Sequence, residues 1–153
     1  MAAPPPKVGN PNQGGTTTAE DADFEISENL NAVNTVTVWV DNGSGSFSNT
    51  KLIKAIKVKY GDGTERTKGH TTGTTYSFTF DNNEKMKTMS LWAGARVDRI
   101  KWETRGGRTF DHGGTGGSEY TQDVGNGILL GFTGTKDDNE LVSLGSIFKE
   151  ASD

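Results

Sequence analysis

The 153-residue sequence contains no cysteine. It can therefore form no disulfide bond, no thiolate zinc site, no iron–sulfur cluster and no cysteine nucleophile. Apolar side chains are also scarce, because Ala, Val, Ile, Leu, Met, Phe, Trp, Tyr and Cys together make up only 31% of the residues. No apolar run approaches the roughly 20 residues that a membrane-spanning helix needs. We therefore expect no thiol chemistry and no membrane span, and a helical bundle would be hard to build from this composition.

An excess of positive charge is missing as well. The 16 Lys and Arg residues stand against 20 Asp and Glu residues, which gives a formal net charge of −4. Binding to nucleic acid depends on clustered cations against the phosphates, so nucleic acid is not an expected partner. The first residues include prolines 4–6 but neither the basic nor the apolar stretch of a secretion signal. This favours a cytoplasmic location, with processing or secretion by another route left open.

Glycine is abundant, with 21 residues, and apolar residues alternate with polar ones along most of the chain. Val36, Val38 and Val40 illustrate this period of two, which is typical of strands with one buried face. Turn sequences such as those at 61–63 and 125–127 separate the alternating runs. No segment repeats its apolar residues at helical spacing over a dozen positions. The sequence therefore predicts an all-β protein made of successive hairpins.

Three similar units follow one another along the chain. Each places an aromatic residue late in a strand and a glycine shortly after it, the pairs being Trp39 and Gly43, Trp92 and Gly94, and Phe132 and Gly134. Glycine-bearing loops accompany these units at 68–73, at 112–117 and, less clearly, at 13–15. We expect about twelve strands in three sheets around one core. The three aromatics are expected to pack in the core or on a sheet, with the core favoured, although one near a loop could stack on a sugar. Residues 1–23 are expected to form a flexible arm and a weak first strand, and residues 24–153 the single domain.

Two loops carry the residues best suited to binding a ligand. The glycine that opens the segment 94–98 permits a turn that directs the following amides to one point, and Asp98 supplies a carboxylate beside them. The glycines at 116 and 117 lack a Cβ and let a second loop approach closely. A carboxylate opposed by N–H donors suits sugar hydroxyls, which both donate and accept hydrogen bonds. The candidate carbohydrate-binding residues are Gly94, Ala95, Arg96, Val97, Asp98, Gly116 and Gly117.

A simpler interpretation of the same residues stays open. Asp98 could be a turn residue or the partner of Arg96 or Arg99, and a surface ion pair of that kind contributes about 0–1 kcal/mol to stability. The glycine-rich segment 113–117 could likewise be only a flexible hairpin.

Residues 94–98 are G-A-R-V-D, residues 113–117 are G-G-T-G-G, and residues 127–134 are G-I-L-L-G-F-T-G. In this order and spacing the sequence resembles the jacalin-related lectins, a family of β-prism I carbohydrate-binding proteins. The resemblance is good over residues 91–148, moderate over 54–80 and poor over the first thirty. It implies a β-prism I fold of three four-stranded Greek-key sheets with pseudo-threefold symmetry. It also implies a lectin that binds glycans without catalysis.

The resemblance also implies roles for individual residues. In the family the aspartate takes two sugar hydroxyls and the glycine loop takes a third, and by motif these roles pass to Asp98 and to Gly116 and Gly117. Family members that accept galactose are associated with a cleaved chain, so this uninterrupted chain implies a mannose- or glucose-type sugar. One shallow site would bind a monosaccharide at about the millimolar level, near −4 kcal/mol. Useful avidity then requires several sites or a homo-dimer or larger assembly.

The third unit offers a candidate second carbohydrate site. Val142 stands where the family has its aspartate, but an acidic residue from a loop one residue longer could replace it. The residues of this second site are Gly14, Gly15, Gly134, Asp137 and Asp138. In the first unit the loop 41–51 has no aspartate in the matching place, so no sugar is expected there.

The other chemistry-bearing residues favour no further site. His70 and His112 lie far apart in sequence, with no carboxylate in fixed relation to either, and so indicate neither a metal site nor a catalytic dyad. The acidic run at 137–140 is more typical of an exposed turn than of a calcium site. No pair of carboxylates stands out as a hydrolase centre, so we expect no enzymatic activity, no metal and no cofactor. The competing hypothesis is that the same scaffold serves as a module for membrane-surface attachment or defence.

Overall fold

The structure, a computed structural model, describes residues 7–15, 22–27 and 31–151. Apart from a short 3-10 turn at Gly45–Phe47, the regular elements in these residues are all strands. The strands are β1 (Lys7–Gly9), β2 (Ala22–Ser27), β3 (Val33–Asn42), β4 (Lys51–Tyr60), β5 (Glu65–Gly69), β6 (Thr74–Thr79), β7 (Met86–Ala93), β8 (Val97–Thr104), β9 (Thr109–Gly113), β10 (Ser118–Thr121), β11 (Leu129–Lys136) and β12 (Leu141–Lys149). The predicted all-β class is confirmed.

The strands form three antiparallel four-stranded sheets. Sheet A has the order β1-β12-β11-β2, sheet B the order β5-β4-β3-β6 and sheet C the order β10-β7-β8-β9. In sheets B and C three consecutive strands form a meander and the fourth returns beside the first, which is a Greek key. Each sheet is centred on one long hairpin, β11–β12, β3–β4 or β7–β8. The predicted β-prism, with three similar units around one core, is confirmed.

The core is built from the inward-facing half of each alternating strand. Val36 and Val38 of β3, Ile100 of β8 and Leu144 of β12 have no exposed surface. An aromatic cluster joins sheets B and C. The ring of Trp102 stacks on that of Phe110, with 4.4 Å between the ring centroids, and contacts that of Phe78 edge-on, with 5.5 Å between the centroids. Every sheet thus buries one face against the other two, as the period of two predicts.

The three repeated aromatics do not share one environment. Phe132 is fully buried in the core, as expected. Trp39 and Trp92 are only partly buried, because their strand neighbours are the buried residues and successive side chains point to opposite faces. Trp92 lies on the outer face beneath the guanidinium of Arg99, 4.3 Å from its ring. The expectation of a core position is therefore wrong for both tryptophans.

Residues 7–15 are part of the fold and contain β1, within the segment expected to hold an arm and a weak first strand. Strand β1 pairs with β12 along one edge of sheet A, and Gln13 continues the pairing opposite Leu144. Main-chain hydrogen bonds to β12 hold the segment K-V-G in place. Because such bonds do not depend on side chains, no apolar alternation marks this strand in the sequence. Residues 1–6 and 16–21 of the expected arm lie outside the described residues. In the described segments there is no helix with the length and apolar character to cross a membrane.

Candidate functional site

The turns of the three central hairpins meet at one end of the prism. Contacts between Ser44, Arg96 and Glu140 connect the β3–β4, β7–β8 and β11–β12 turns to one another. The loop between β9 and β10 reaches the same end, since the N–H of Gly114 donates to the carbonyl of Asp98, at 2.7 Å. This end of the molecule therefore brings together the loops that the sequence singled out.

Asp98 and the glycine pair lie in direct contact. A β-carbon added to Gly116 would stand 2.7 Å from Asp98 Oδ1, and one added to Gly117 would stand 2.5 Å from Asp98 Oδ2. Gly94 borders the same point, because its added β-carbon would lie 3.9 Å from Asp98 Oδ2. A side chain at position 116 or 117 would therefore collide with the carboxylate, whereas one at position 94 would only touch it. We call the space bounded by Gly94, Asp98, Gly116 and Gly117 the socket.

Neither arginine near Asp98 in sequence pairs with it. Arg99 makes two hydrogen bonds to Asp111, at 2.6 and 2.5 Å, on the outer face of sheet C. Arg96 instead pairs with carboxylates of the β11–β12 turn. Within the described part of the chain the carboxylate of Asp98 makes no salt bridge. The ion-pair interpretation of Asp98 is therefore not what the structure contains.

The electrostatic state of Asp98 is unusual for an aspartate. The residue is only 5% exposed, and burial raises the pKa of its carboxyl, against a smaller opposing effect of the hydrogen bond from the Gly94 N–H. Burying a carboxylate without a cation destabilises the folded protein. A strained electrostatic arrangement of this kind in an open socket is a recognised signature of a functional residue.

The loop 94–97 also supplies donors. The N–H of Gly94 donates to the carbonyl of Arg96 at 2.9 Å and closes a tight turn. Within the described residues the N–H groups of Ala95 and Arg96 have no hydrogen-bond acceptor, while Val97 begins β8 with a buried side chain. The turn therefore leaves two main-chain donors free within three residues of the Asp98 carboxylate, a combination of donors and acceptors that suits a ligand rich in hydroxyl groups.

A groove leads away from the socket. It has a volume of about 380 Å³ and runs between residues 49–51 of the β3–β4 connection and residues 113–116. Gly114 packs directly against the main chain of Lys51, where a side chain would collide with its carbonyl oxygen. The side chains that line the groove are those of Asn49, Thr50, Lys51 and Thr115, so it can accept a polar chain that continues beyond the socket.

The residues of the predicted second site are placed differently. The Gly14 and Gly15 pair packs on Val142, with an added β-carbon on Gly15 3.0 Å from Val142 Cγ1. Asp137 accepts hydrogen bonds from the N–H groups of its own turn, at Asn139 and Glu140, and pairs with Arg96. Gly134 lies inside β11 against the ring of Phe24, and Asp138 is exposed. The nearest neighbours of this glycine pair are thus apolar side chains and main-chain carbonyls, not acidic groups.

The first unit has a lysine in the place of Asp98. The N–H of His70 donates to the carbonyl of Lys54 at 2.9 Å, just as that of Gly114 donates to the carbonyl of Asp98. Lys54 is 4% exposed and its ammonium lies 3.1 Å from Glu140. Of the three units, only the second therefore combines a glycine pair with an aspartate.

The buried charges of Lys54 and Glu140 were not predicted from the sequence. A signal for Lys54 was present, because it lies at an inward position between Leu52 and Ile56 in an otherwise apolar alternation. Glu140 had no comparable signal, since it belongs to an acidic turn that looks exposed in the sequence.

Similar architectures occur in solved structures. The crystal structure of lamprey immune protein superposes with a TM-score of 0.80 and 28% identity, covering 100% of this chain and 47% of that one. The chain thus spans about half the length of the lamprey protein. AcmJRL, a mannose-binding jacalin-related lectin from Ananas comosus, gives a TM-score of 0.71 at 16% identity, covering 94% and 98%. The prostate-specific WGA16 glycoprotein lectin gives a TM-score of 0.72 at 18% identity, and the match covers 92% of this chain and 100% of that one.

Sequence families give the same result. No curated protein sequence matches the chain significantly. The profile of the jacalin-like lectin domain, in contrast, matches residues 7–147 and so includes nearly every described strand and the whole socket. With this match, with three four-stranded sheets and with the socket at the end of the prism, the chain belongs to the family of jacalin-like lectin domains.

Proposed function

We propose that the protein is a lectin that binds a mannose- or glucose-type sugar in the socket. The observation that carries this proposal is the buried carboxylate of Asp98, which lies against Gly116 and Gly117 and makes no salt bridge with any described residue. Two adjacent hydroxyls of a hexose can donate to its oxygens, and the N–H groups of Ala95 and Arg96 can donate to oxygens of the same ring. The sugar then supplies the hydrogen bonds that the protein does not.

The proposed activity is binding without catalysis. Hydrolysis of a glycoside usually needs two carboxyl groups, one on each side of the scissile bond. Asp111 on the adjoining strand and Asp137 on the adjoining turn are each held by an arginine, which favours a structural role for both. Asp98 can orient a sugar, and neither of these two aspartates is free to act beside it as an acid or a base.

Calorimetric titration with methyl α-mannoside tests the proposal directly. Saturable binding is expected at about the millimolar level, since a shallow site with a handful of hydrogen bonds yields about −4 kcal/mol. Methyl α-galactoside, whose 2- and 4-hydroxyls are both inverted relative to the mannoside, serves as the comparison and should bind more weakly. The mannose-binding pineapple lectin supports the choice of sugar at the level of the fold. Absence of saturable binding to any hexoside would overturn the proposal.

As the pH is lowered, sugar binding should weaken at a higher pH than it would if Asp98 had the pKa of an exposed aspartate. Because burial raises the pKa of Asp98, its carboxylate takes up a proton at a higher pH than an exposed one would. The protonated group loses acceptor capacity and can no longer take two hydroxyls. Affinity for methyl α-mannoside, measured by titration from pH 7 downward, is expected to fall with a midpoint above the usual value of about 3.9. A pH-independent affinity down to that value would contradict the role of Asp98.

The groove predicts a preference for longer ligands. A mannotriose seated in the socket can extend its next residue between 49–51 and 113–116, and we expect it to bind several-fold more tightly than the monosaccharide. Replacing the exposed Asn49 with alanine should reduce the affinity for mannotriose and leave that for methyl α-mannoside unchanged, as measured by calorimetry. Equal losses for both ligands would place the groove outside the binding site.

Weak single-site binding makes multivalency part of the proposal. One socket at the millimolar level gives little retention on a glycan surface, whereas two or more linked sockets multiply the effective affinity. We therefore propose a homo-dimer or larger assembly. Light scattering of the purified protein gives its mass directly, and a monomer that still agglutinates glycosylated beads would contradict this part.

A second candidate function is a targeting module in defence. It is favoured by the lamprey immune protein, which contains a domain of this shape in about half of its length and is 28% identical to this chain. In that case the socket would direct an attached activity to a glycosylated surface. Binding to vesicles that carry mannosylated lipid, competed by free mannoside, would support it, and binding to bare phospholipid vesicles would indicate a different mode of attachment.

A further inference from the structure

Glu140 is a fully buried carboxylate at the centre of the socket end of the prism. Its exposed fraction is 0%. Lys54 Nζ lies 3.1 Å from its Oε2, and Arg96 Nε lies 3.2 Å from its Oε1. The N–H and the hydroxyl of Ser44 also donate to it, at 3.3 and 3.2 Å. The side chain of Glu140, which belongs to the third unit, thus contacts the first unit through Ser44 and Lys54 and the second unit through Arg96.

Arg96 is held on several sides. Besides Glu140, Asp137 accepts from its Nη2 at 3.3 Å, and the ring of Phe47 faces its guanidinium at 4.9 Å. The side chain is 16% exposed. We call Arg96, Asp137 and Glu140 together the brace. The brace fixes a residue whose own main chain forms the donor side of the socket.

The main chain of the same turn is held from the same direction. The N–H of Gly15 donates to the carbonyl of Gly94 at 3.1 Å, so sheet A contacts the turn through backbone as well as side chain. The third unit, whose glycine pair faces Val142, therefore supports the turn of the second unit at two points.

We propose that Glu140 is a positioning residue for sugar binding, acting through Arg96 on the donors of the turn 94–97. The inference rests on the proposed lectin function of the socket. A buried ion pair is a weak source of stability, because desolvation of both charges offsets their attraction. What such a pair does provide is one fixed geometry, and fixing the turn before the sugar arrives removes an ordering cost from binding. The β11–β12 turn of the third unit thus fixes the conformation of the turn that borders the socket in the second unit.

Glu140→Gln and Arg96→Gln test the inference. Each removes the charge-assisted contact that holds the turn and leaves Asp98 and both glycines intact. We expect the dissociation constant for methyl α-mannoside to rise about tenfold in each. The double variant should bind no more weakly than the weaker single one, because both act on one contact. Amide hydrogen exchange at Gly94, whose N–H closes the turn on the carbonyl of Arg96, should accelerate in all three.

Lys54→Met is the matched control for a purely structural role. Lys54 contacts the other oxygen of Glu140, so its loss removes a buried charge from the same cluster without touching Arg96. We expect it to lower the melting temperature but to leave the affinity and the exchange at Gly94 unchanged. Arg96→Lys keeps a cation in reach of Glu140 and should restore part of the affinity lost in Arg96→Gln. Because Arg96 is partly exposed, its variants remain informative even if Glu140→Gln fails to fold.

Two results would overturn the inference. One is wild-type affinity in folded Arg96→Gln. The other is an equal loss of affinity in Lys54→Met, which would show that the whole cluster acts only through stability. Asp98→Asn, measured in parallel, distinguishes a failure of the proposed socket from a failure of the proposed brace. If Asp98→Asn binds mannoside normally, the proposed socket is wrong. If Asp98→Asn loses binding and Arg96→Gln does not, only the role of the brace is wrong.

Discussion

Asp98→Asn is expected to abolish measurable sugar binding while leaving the protein at least as stable as the wild type. The amide keeps the size of the side chain but replaces one acceptor oxygen with a donor and removes the charge. Two charge-assisted hydrogen bonds of about 1.5–3 kcal/mol each would be lost, against a total near −4 kcal/mol for a millimolar ligand. Calorimetry with methyl α-mannoside should therefore detect no heat of binding.

The stability half of this prediction follows from the direction of the pKa shift. Because burial raises the pKa of Asp98 in the folded state, ionisation of this residue is easier in the unfolded chain. Its contribution to stability is thus present at low pH and lost as the pH rises through the folded pKa. The asparagine variant has no such loss, so at pH 7 its melting temperature should equal or exceed that of the wild type, and at pH 4 the difference should shrink.

Asp111→Asn is the matched control. It is the same chemical change on the neighbouring strand, but it removes the partner of Arg99 on the outer face of sheet C. Since Arg99 holds the pKa of the Asp111 carboxyl below its usual range through their hydrogen bond, this variant should lose stability at neutral pH and keep its sugar affinity. Normal mannoside binding by Asp98→Asn, or loss of binding by Asp111→Asn, would place the site elsewhere.

Gly116→Ala should also eliminate binding, by filling the socket. The added methyl would stand 2.7 Å from Asp98 Oδ1, so the carboxylate must move away from the position in which it receives the sugar. Gly116 does not have a left-handed backbone, and the group that must yield is the end of a side chain. The cost to folding should therefore be small, roughly 1 kcal/mol or less, while the affinity for methyl α-mannoside falls by more than about tenfold.

A glycine at the far end of β8 provides the comparison. Gly106 also lacks a left-handed backbone, and the nearest atom to an added β-carbon is Thr104 Oγ1 at 4.0 Å. Gly106→Ala should change neither affinity nor melting temperature appreciably. Gly117→Ala combines the steric effect with a backbone φ of +79°, so it should lose binding and stability together. Unchanged binding in folded Gly116→Ala would contradict the contact between the two loops.

Much of the fold follows from local patterns. The alternation in segments such as 36–40 specifies strands with one buried face, and the turn sequences specify where the hairpins reverse. The relation between Asp98 and the glycines at 116 and 117 was also accessible, because the two loops flank β8 and β9, which pair as neighbours. Residues that close one hairpin unit must lie near one another once the strands form.

Other features depend on contacts between units, which no local pattern specifies. Arg96 and Glu140 are 44 residues apart, and Lys54 and Glu140 are 86 apart, so no periodicity within one strand could relate their charges. The outward position of Trp39 and Trp92 likewise reverses the expectation from their hydrophobic character. Strand β1 is an edge strand held by main-chain bonds, which any three residues can make.

The amino-acid sequence by itself determined the strands, their turns and the single unit that carries both an aspartate and a glycine pair, because period-two burial and backbone freedom are properties of neighbouring residues. Only the packing of the three sheets decided that Asp98 is buried without a salt bridge to any described residue, that Lys54 occupies the equivalent place in the first unit, and that Glu140 contacts residues of the other two units. Those outcomes depend on which charges meet across the prism axis, and the free energy of a buried charge is set by its surroundings and not by its own position in the chain.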